Sequence, residues 1–350
     1  MKKVNFTKNE EKVLYGIVKY PNLNDTTLSL KLDVKLSTFT SIKKRLSDEG
    51  YFRTINIPLL NRLGCELLTI IYTRFNPVIP LEERIGTTKK TIEIFEEIFF
   101  SVGEQDKGFS ISISKNYSNI GRINDIRTET FGKLGLLEEE YPQEVIFSFE
   151  NSNINHFFDF SRVLKNLFSI EDDNKITDNI GWFNNTKQAQ LSNKEKKIYL
   201  ALVENPDDST IEIGKKVGVS RHTIARMKKD FIKNDFIKRI TLPNLQKLGF
   251  EILAFYPINF NPSKAPNKKD LQTLDTNSTI FMVNRLFETI LISAYPTYQD
   301  YKEDKMFKIR YLKENNLIST NPLIGEYMFE RMVIIKDFDF APLVKKTLLL

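Results

Sequence analysis

The chain repeats itself, and that repetition limits its possible folds more than any other feature. Shifting the 350-residue sequence by 185 positions lays 7–77 over 192–262 without a gap, with 19 identities in 71 positions. Among them are Glu10/Glu195, Pro21/Pro206, Val34/Val219, Thr38/Thr223, Lys43/Lys228, Pro58/Pro243, Leu63/Leu248, Gly64/Gly249 and the triplet Phe75-Asn76-Pro77 over Phe260-Asn261-Pro262. Chance does not place a Pro, a Gly and an Asn-Pro in register without gaps. A segment that recurs is a structural unit, so the two copies are read against each other. Further on the offset drifts to about 180, where FDFSRVLKNLF (158–168) mirrors FDFAPLVKKTL (338–348). The polar stretch 171–190 between the halves is expected to be a linker.

Each copy opens with a capping-box signal, Thr7-Lys-Asn-Glu10 and Ser192-Asn-Lys-Glu195, which predicts a helix start. Apolar Val13, Leu14, Ile17 and Val18, matched by Ile198, Tyr199, Leu202 and Val203, carry it to Pro21 and Pro206. A short helix follows at 209–218, with Ile213 and Val217 on one face and Gly214 small enough for close packing. After a tight Gly218-Val219 turn, SRHTIARMKKDFIKN (220–234) places Ile224, Met227 and Phe231 at i, i+3 and i+7, one apolar stripe of an amphipathic helix. Phe39, Ile42 and Leu46 do the same over 35–49. Two β-rich stretches, 236–242 and 250–260, are expected to form a wing.

Helix, helix, turn, helix, wing is the winged helix-turn-helix order, whose recognition helix enters the major groove. Opposite the apolar stripe, and in the wing after it, the second copy carries Arg221, His222, Thr223, Arg226, Lys229, Lys233, Lys238 and Arg239. The first copy is less basic there, with Lys35, Leu36, Ser37, Thr38, Ser41, Lys44 and, in the wing, Arg53. Hydroxyls reach bases or phosphates, and Leu36 suits a thymine methyl. A dimerisation or scaffold role is the alternative for this first copy.

The net charge of +6 agrees with a polyanionic partner but is modest until it is placed on a motif. With one cysteine, Cys65, and two histidines, His156 and His222, no His/Cys metal cluster can be built. There is no Walker A run and no G-x-G-x-x-G. Asp172-Asp173 and Glu138-Glu139-Glu140 are expected to be solvated acidic turns, and His156 to be structural. Phe99, Phe100, Phe147 and Phe149 are expected in the core rather than stacked on RNA bases. The opening MKKVNFTKNEEK has no apolar signal region, and no apolar run reaches membrane-spanning length. The expectations are therefore no enzyme, no metal, no cofactor, no membrane, and a cytoplasmic location.

Residues 217–255, VGVSRHTIARMKKDFIKNDFIKRITLPNLQKLGFEILAF, resemble the Lrp/AsnC (feast/famine) regulators, as do 33–70. In that family a basic recognition helix leads through a wing and a Pro-x-x-Leu-Gly step into a regulatory domain. The following order in the first copy is β-α-β-β-α-β, the ferredoxin-like order. Val102-Gly103-Glu104-Gln105-Asp106 resembles the family's Gly-Glu-x-Asp hairpin, where the second copy has Val283-Asn284-Arg285-Leu286. The fold class expected is α+β, with two winged helix-turn-helix domains (1–62 and 191–247), each followed by a ferredoxin-like domain (63–170 and 248–350). The function expected is that of a sequence-specific DNA-binding transcriptional regulator acting as a single-chain pseudo-dimer. Its partner is double-stranded DNA, with a small-molecule effector at the ferredoxin-like domains and a homodimer as further candidates. An RNA- or ribosome-binding protein and a tandem winged-helix replication initiator are the alternatives.

Overall fold

The computed structural model describes residues 6–138, 141–171, 181–185 and 187–350. The first run of elements is α1 (Lys8–Lys19), α2 (Asp25–Lys31), α3 (Leu36–Asp48), β1 (Phe52–Pro58), β2 (Leu67–Arg74), α4 (Leu81–Glu93), β3 (Ile98–Gly103), β4 (Lys107–Ser114), α5 (Tyr117–Lys133), β5 (Gln143–Ser148), β6 (Asn153–Phe157) and α6 (Ser161–Leu167). The same order returns in α7 (Asn193–Glu204), α8 (Thr210–Val217), α9 (Arg221–Lys233), β7 (Ile237–Pro243), β8 (Ile252–Asn259), α10 (Lys268–Leu274), β9 (Thr279–Arg285), β10 (Glu288–Tyr295), α11 (Tyr298–Glu314), β11 (Gly325–Met328), β12 (Val333–Asp337) and α12 (Ala341–Leu348). Among the described residues no helix is long and apolar enough to cross a membrane.

The helix starts follow the sequence signals. Thr7 and Ser192 are N-caps of complete capping boxes, and their backbone N–H groups donate to Glu10 at 2.7 Å and Glu195 at 2.8 Å. Each box satisfies orphan donors at a helix start.

The chain divides into two compact units that cut across the sequence blocks. One comprises Met1–Thr54, Ser152–Trp182 and Arg239–Glu330; the other comprises Ile55–Asn151, Phe183–Lys238 and Arg331–Leu350. In the first unit the sheet runs β11-β8-β10-β9-β6, antiparallel throughout. Its β8–α10–β9–β10–α11–β11 portion is the ferredoxin-like order. Alternate residues of β8, Ile252, Ala254, Tyr256 and Ile258, face Leu274 and Leu312 in one core, as a strand's period of two requires. The fifth strand, β6, comes from the other half of the sequence and pairs Asn153 with Asn284 and Phe157 with Phe281.

The second unit mirrors this construction. Its sheet runs β12-β3-β4-β2-β5, and β12 pairs Val333 with Gly103 and Asp337 with Phe100. Ile71, Ile92, Phe95, Ile98 and Ile123 form the core beneath its helices. The FDF segments follow these added strands. Phe158 meets Phe281 at 5.2 Å in the first unit, while Phe340 stacks on Phe99 at 4.5 Å in the second. α6 then packs on α1, and α12 on α7. Phe99, Phe100, Phe147 and Phe149 are buried, as is Cys65.

The stretches read as a wing do not pair with each other. β7 is grouped with β1 in a two-stranded sheet, and β8 belongs to a five-stranded one. In the first unit Asn244 N–H donates to Tyr51 O at 2.7 Å, and in the second Leu59 N–H donates to Phe236 O at 2.8 Å. The hairpin is excluded because β8 has both edges taken, by β10 and β11. Gly249, at φ 84°, turns the chain between the two strands. In the expected linker, Trp182 bridges to Ile154 in the first unit, and Phe183 stacks on Phe149 at 4.7 Å in the second. Residues 172–180 and Thr186 lie outside the described residues, as do Glu139 and Glu140, so the acidic-turn reading of Asp172-Asp173 is untouched.

His156 fastens β6. Its Nε2 lies 2.7 Å from Asp275 Oδ2, and Arg162 Nη1 donates to Asp275 Oδ1 at 2.7 Å. Burial raises the Asp275 pKa, but the hydrogen bonds and charges of His156 and Arg162 more than offset it and hold the carboxyl below its usual range. A depressed carboxyl pKa adds stability above the unfolded value of about 3.9, and that stability is lost as pH falls through the folded value. Asp275→Asn is therefore expected to lower unfolding free energy by about 2–3 kcal/mol at pH 7. In urea titrations the gap from wild type should narrow below about pH 3.9; a gap constant down to pH 2 refutes the assignment.

Candidate nucleic-acid interface

The best-formed candidate site is the open face of α9. Ser220 caps the helix by accepting from Thr223 N–H. Ile224, Met227 and Phe231 are buried, so the remaining arc faces outward. Arg221, His222, Arg226, Lys229 and Lys233 are exposed on it, and Thr223 is half-buried beside its cap. Among the described residues no carboxylate forms an ion pair with Arg221, Arg226, Lys229 or Lys233. Exposed Lys215 and Arg221 flank a shallow depression that Ile211, Gly214, Gly218 and Val219 also line. The result is a ridge of uncompensated cations, the arrangement that neutralises phosphates.

The turn that aims this ridge is set by two glycines. Gly218 sits at φ 71° and ends α8, a conformation that costs other L-residues energy. A Cβ at Gly214 would lie 2.6 Å from Val219 O, so α8 approaches the turn too closely for any side chain.

The α3 face differs in charge. Phe39 and Leu46 are buried, while Lys35, Leu36, Ser37, Thr40, Ser41 and Lys44 are exposed and Thr38 is half-buried. Two of its cations are neutralised within the module: Lys43 pairs with Asp25 at 2.6 Å, and Arg45 pairs with Glu10. Lys35 stands at the N-cap without a side-chain capping bond. Arg53 is exposed on β1, whereas Lys238 and Arg239 on β7 are half-buried. Burial lowers the Lys238 pKa. The ridge proper is thus Arg221, His222, Arg226, Lys229 and Lys233. Sequence reading missed Thr40 and Lys215, both exposed polar residues whose helix faces could have been counted from the apolar stripes.

No family model matches the chain. It is 26% identical over 128 residues to an uncharacterized HTH-type transcriptional regulator of Pyrococcus furiosus, a stretch covering 35% of this chain and 86% of that protein. The E. coli AsnC structure covers 39% of this chain and 93% of its own, at 20% identity and a TM-score of 0.33. The resemblance to a helix-turn-helix regulator thus extends over about a third of the chain. Over nearly its whole length it is also similar to the siroheme decarboxylase NirDL, with a TM-score of 0.53, 11% identity, and coverage of 97% of this chain and 98% of that one. The same enzyme bound to an iron-uroporphyrin III analogue gives 0.51. An enzyme therefore shares the fold of the whole chain, which overturns the expectation that this protein is no enzyme. The helix-turn-helix motif was legible locally, whereas the whole-chain likeness survives at an identity too low to read from residues.

Gly214→Ala is expected to force the α8–α9 turn apart and cost about 1–3 kcal/mol, as overpacking does. Chemical denaturation checks this; a variant as stable as wild type would show that the turn relaxes freely.

Proposed function

We propose that the chain is a sequence-specific DNA-binding transcriptional regulator in which two helix-turn-helix heads, descended from a tandem duplication, act as a single-chain pseudo-dimer. One observation carries the reading: α9 presents Arg221, Arg226, Lys229 and Lys233 to solvent with no carboxylate paired to them among the described residues, beside a helix-turn-helix turn fixed by Gly214 and Gly218. The similarity to a helix-turn-helix regulator supports it. Supplying both heads from one chain makes the second DNA contact intramolecular, which adds avidity of roughly 10²–10⁴ without new contacts. Because α3 offers fewer outward cations than α9, the heads are unequal. The favoured operator is then two unlike half-sites, with α9 giving most of the affinity and α3 adjusting it.

A second reading rests on the whole-chain likeness to siroheme decarboxylase NirDL. In it the chain removes carboxyl groups from a tetrapyrrole. Incubation with siroheme and mass spectrometry for loss of carbon dioxide separates it from the first.

For the regulator, footprinting identifies the operator, and binding is then measured across salt with duplex DNA and structured RNA as competitors. Arg226→Ala is expected to weaken binding by about 1–3 kcal/mol if it reads a base. If it meets phosphate instead, it lowers the salt slope by about 0.9. Ser41→Ala is expected to change binding by less than about 0.5 kcal/mol. Equal, negligible losses from both substitutions refute the unequal-head reading. RNA outcompeting operator DNA refutes the DNA assignment.

A further inference from the structure

The second helix of each ferredoxin-like portion buries a cation at its eleventh residue. On α5 it is Arg127, 3% exposed; on α11 it is Lys308, 1% exposed. The two are compensated differently. Lys308 pairs with Asp304, one turn earlier on the same helix, and donates to Thr276 Oγ1 at 2.9 Å. Asp304 also accepts the Tyr295 hydroxyl at 2.5 Å. That charge is closed within its own unit.

Where α11 has Asp304, its seventh residue, α5 has Ile123. Arg127 reaches hydroxyls instead: Nη1 donates to Ser110 Oγ at 2.9 Å and Nη2 to Thr73 Oγ1 at 3.4 Å. Its Nε has no hydrogen-bond partner, and among the described residues no carboxylate pairs with it. Glu144, an acid on the neighbouring strand β5, is engaged by the Asn124 amide at 3.2 Å. Burial alone pulls the guanidinium down to about 10, so it stays charged at neutral pH. A buried charge without a counter-ion is among the costlier arrangements in a folded protein.

The surroundings are polar in step with this charge. Thr69, Thr73 and Ser110 are buried on β2 and β4, where the matching positions of β8 and β10 are Ala254, Ile258 and Leu291. The hydroxyls of Thr69 and Thr88 are buried without partners. Hydroxyl groups thus accompany the unpaired cation, and apolar side chains occupy their places where the cation is paired.

We propose that Arg127, with Ser110 and Thr73, is a binding site for a small carboxylate. The planar guanidinium fork matches a carboxylate through parallel N–H···O bonds, and the hydroxyls supply further donors. The site gives the effector of the regulatory reading a place and a charge. Its test needs no DNA, so failure here leaves the DNA assignment standing.

Sodium acetate is titrated into the full chain against sodium chloride at constant ionic strength and pH 7, with the thermal midpoint as readout. The wild-type midpoint is expected to rise with acetate along a binding curve, since a ligand of the folded state alone stabilises it. Arg127→Met is expected to lose that dependence and, in chloride, to melt no lower than wild type. Ser110→Ala, which keeps the charge, is expected to weaken the apparent acetate affinity severalfold. No acetate-dependent rise in wild type, or the same rise in Arg127→Met, overturns the proposal. If Arg127→Met does not fold, an unchanged affinity in Ser110→Ala overturns it instead.

Discussion

The covering of β9 and β3 by strands from the other half of the sequence is the constraint on which the rest of the fold depends. A ferredoxin-like sheet of four strands leaves an edge with unpaired N–H and C=O groups, an invitation to pair with any other chain. Here β6 covers β9 and β12 covers β3, each strand arriving from the other half of the sequence. The FDF segments continue those strands, and the helices after them seat the first helix of a helix-turn-helix module within the same unit. Edge pairing, aromatic packing and head placement are therefore one continuous device in each unit. The anchors differ between copies: His156 and Arg162 meet Asp275 in one, while Lys336 donates to Phe95 O at 2.6 Å in the other.

The two heads have the same backbone plan and different electrostatics. On α9 Arg221, Arg226, Lys229 and Lys233 are exposed and, among the described residues, no carboxylate pairs with them, whereas on α3 Lys43 and Arg45 are held by Asp25 and Glu10 from their own module. An internal ion pair fixes a side chain and reduces the field it projects, so charge counts along the sequence overstate what α3 offers a polyanion. The same asymmetry recurs under the second helices, where Lys308 has an internal acid and Arg127 does not.

What was legible in the sequence was what local physics dictates. Capping boxes marked the starts of α1 and α7, and the i, i+3, i+7 apolar stripe separated the buried face of α9 from its open one. What was not legible depended on pairing between distant residues. Nothing in Asn153–Phe157 says that it lies beside Thr279–Arg285 rather than its neighbours in sequence, and the wing was misread because β1 and β7 are 185 residues apart. Within the site, Lys238 and Arg239 looked available because strand membership does not reveal how deeply a side chain is covered. The whole-chain likeness to an enzyme left no residue pattern that a single sequence exposes.

The exchanged strands also set a schedule for synthesis. β3 is translated some 230 residues before β12, so at about 5–20 residues per second its edge waits on the order of ten to fifty seconds for its partner. During that interval the apolar run Ile98-Phe99-Phe100 is an unfinished surface on the ribosome, and nascent copies on one messenger sit close enough to satisfy each other instead. A chain built this way trades the independence of its halves for a covered β3 and β9, and β3 stays open until β12 has been made.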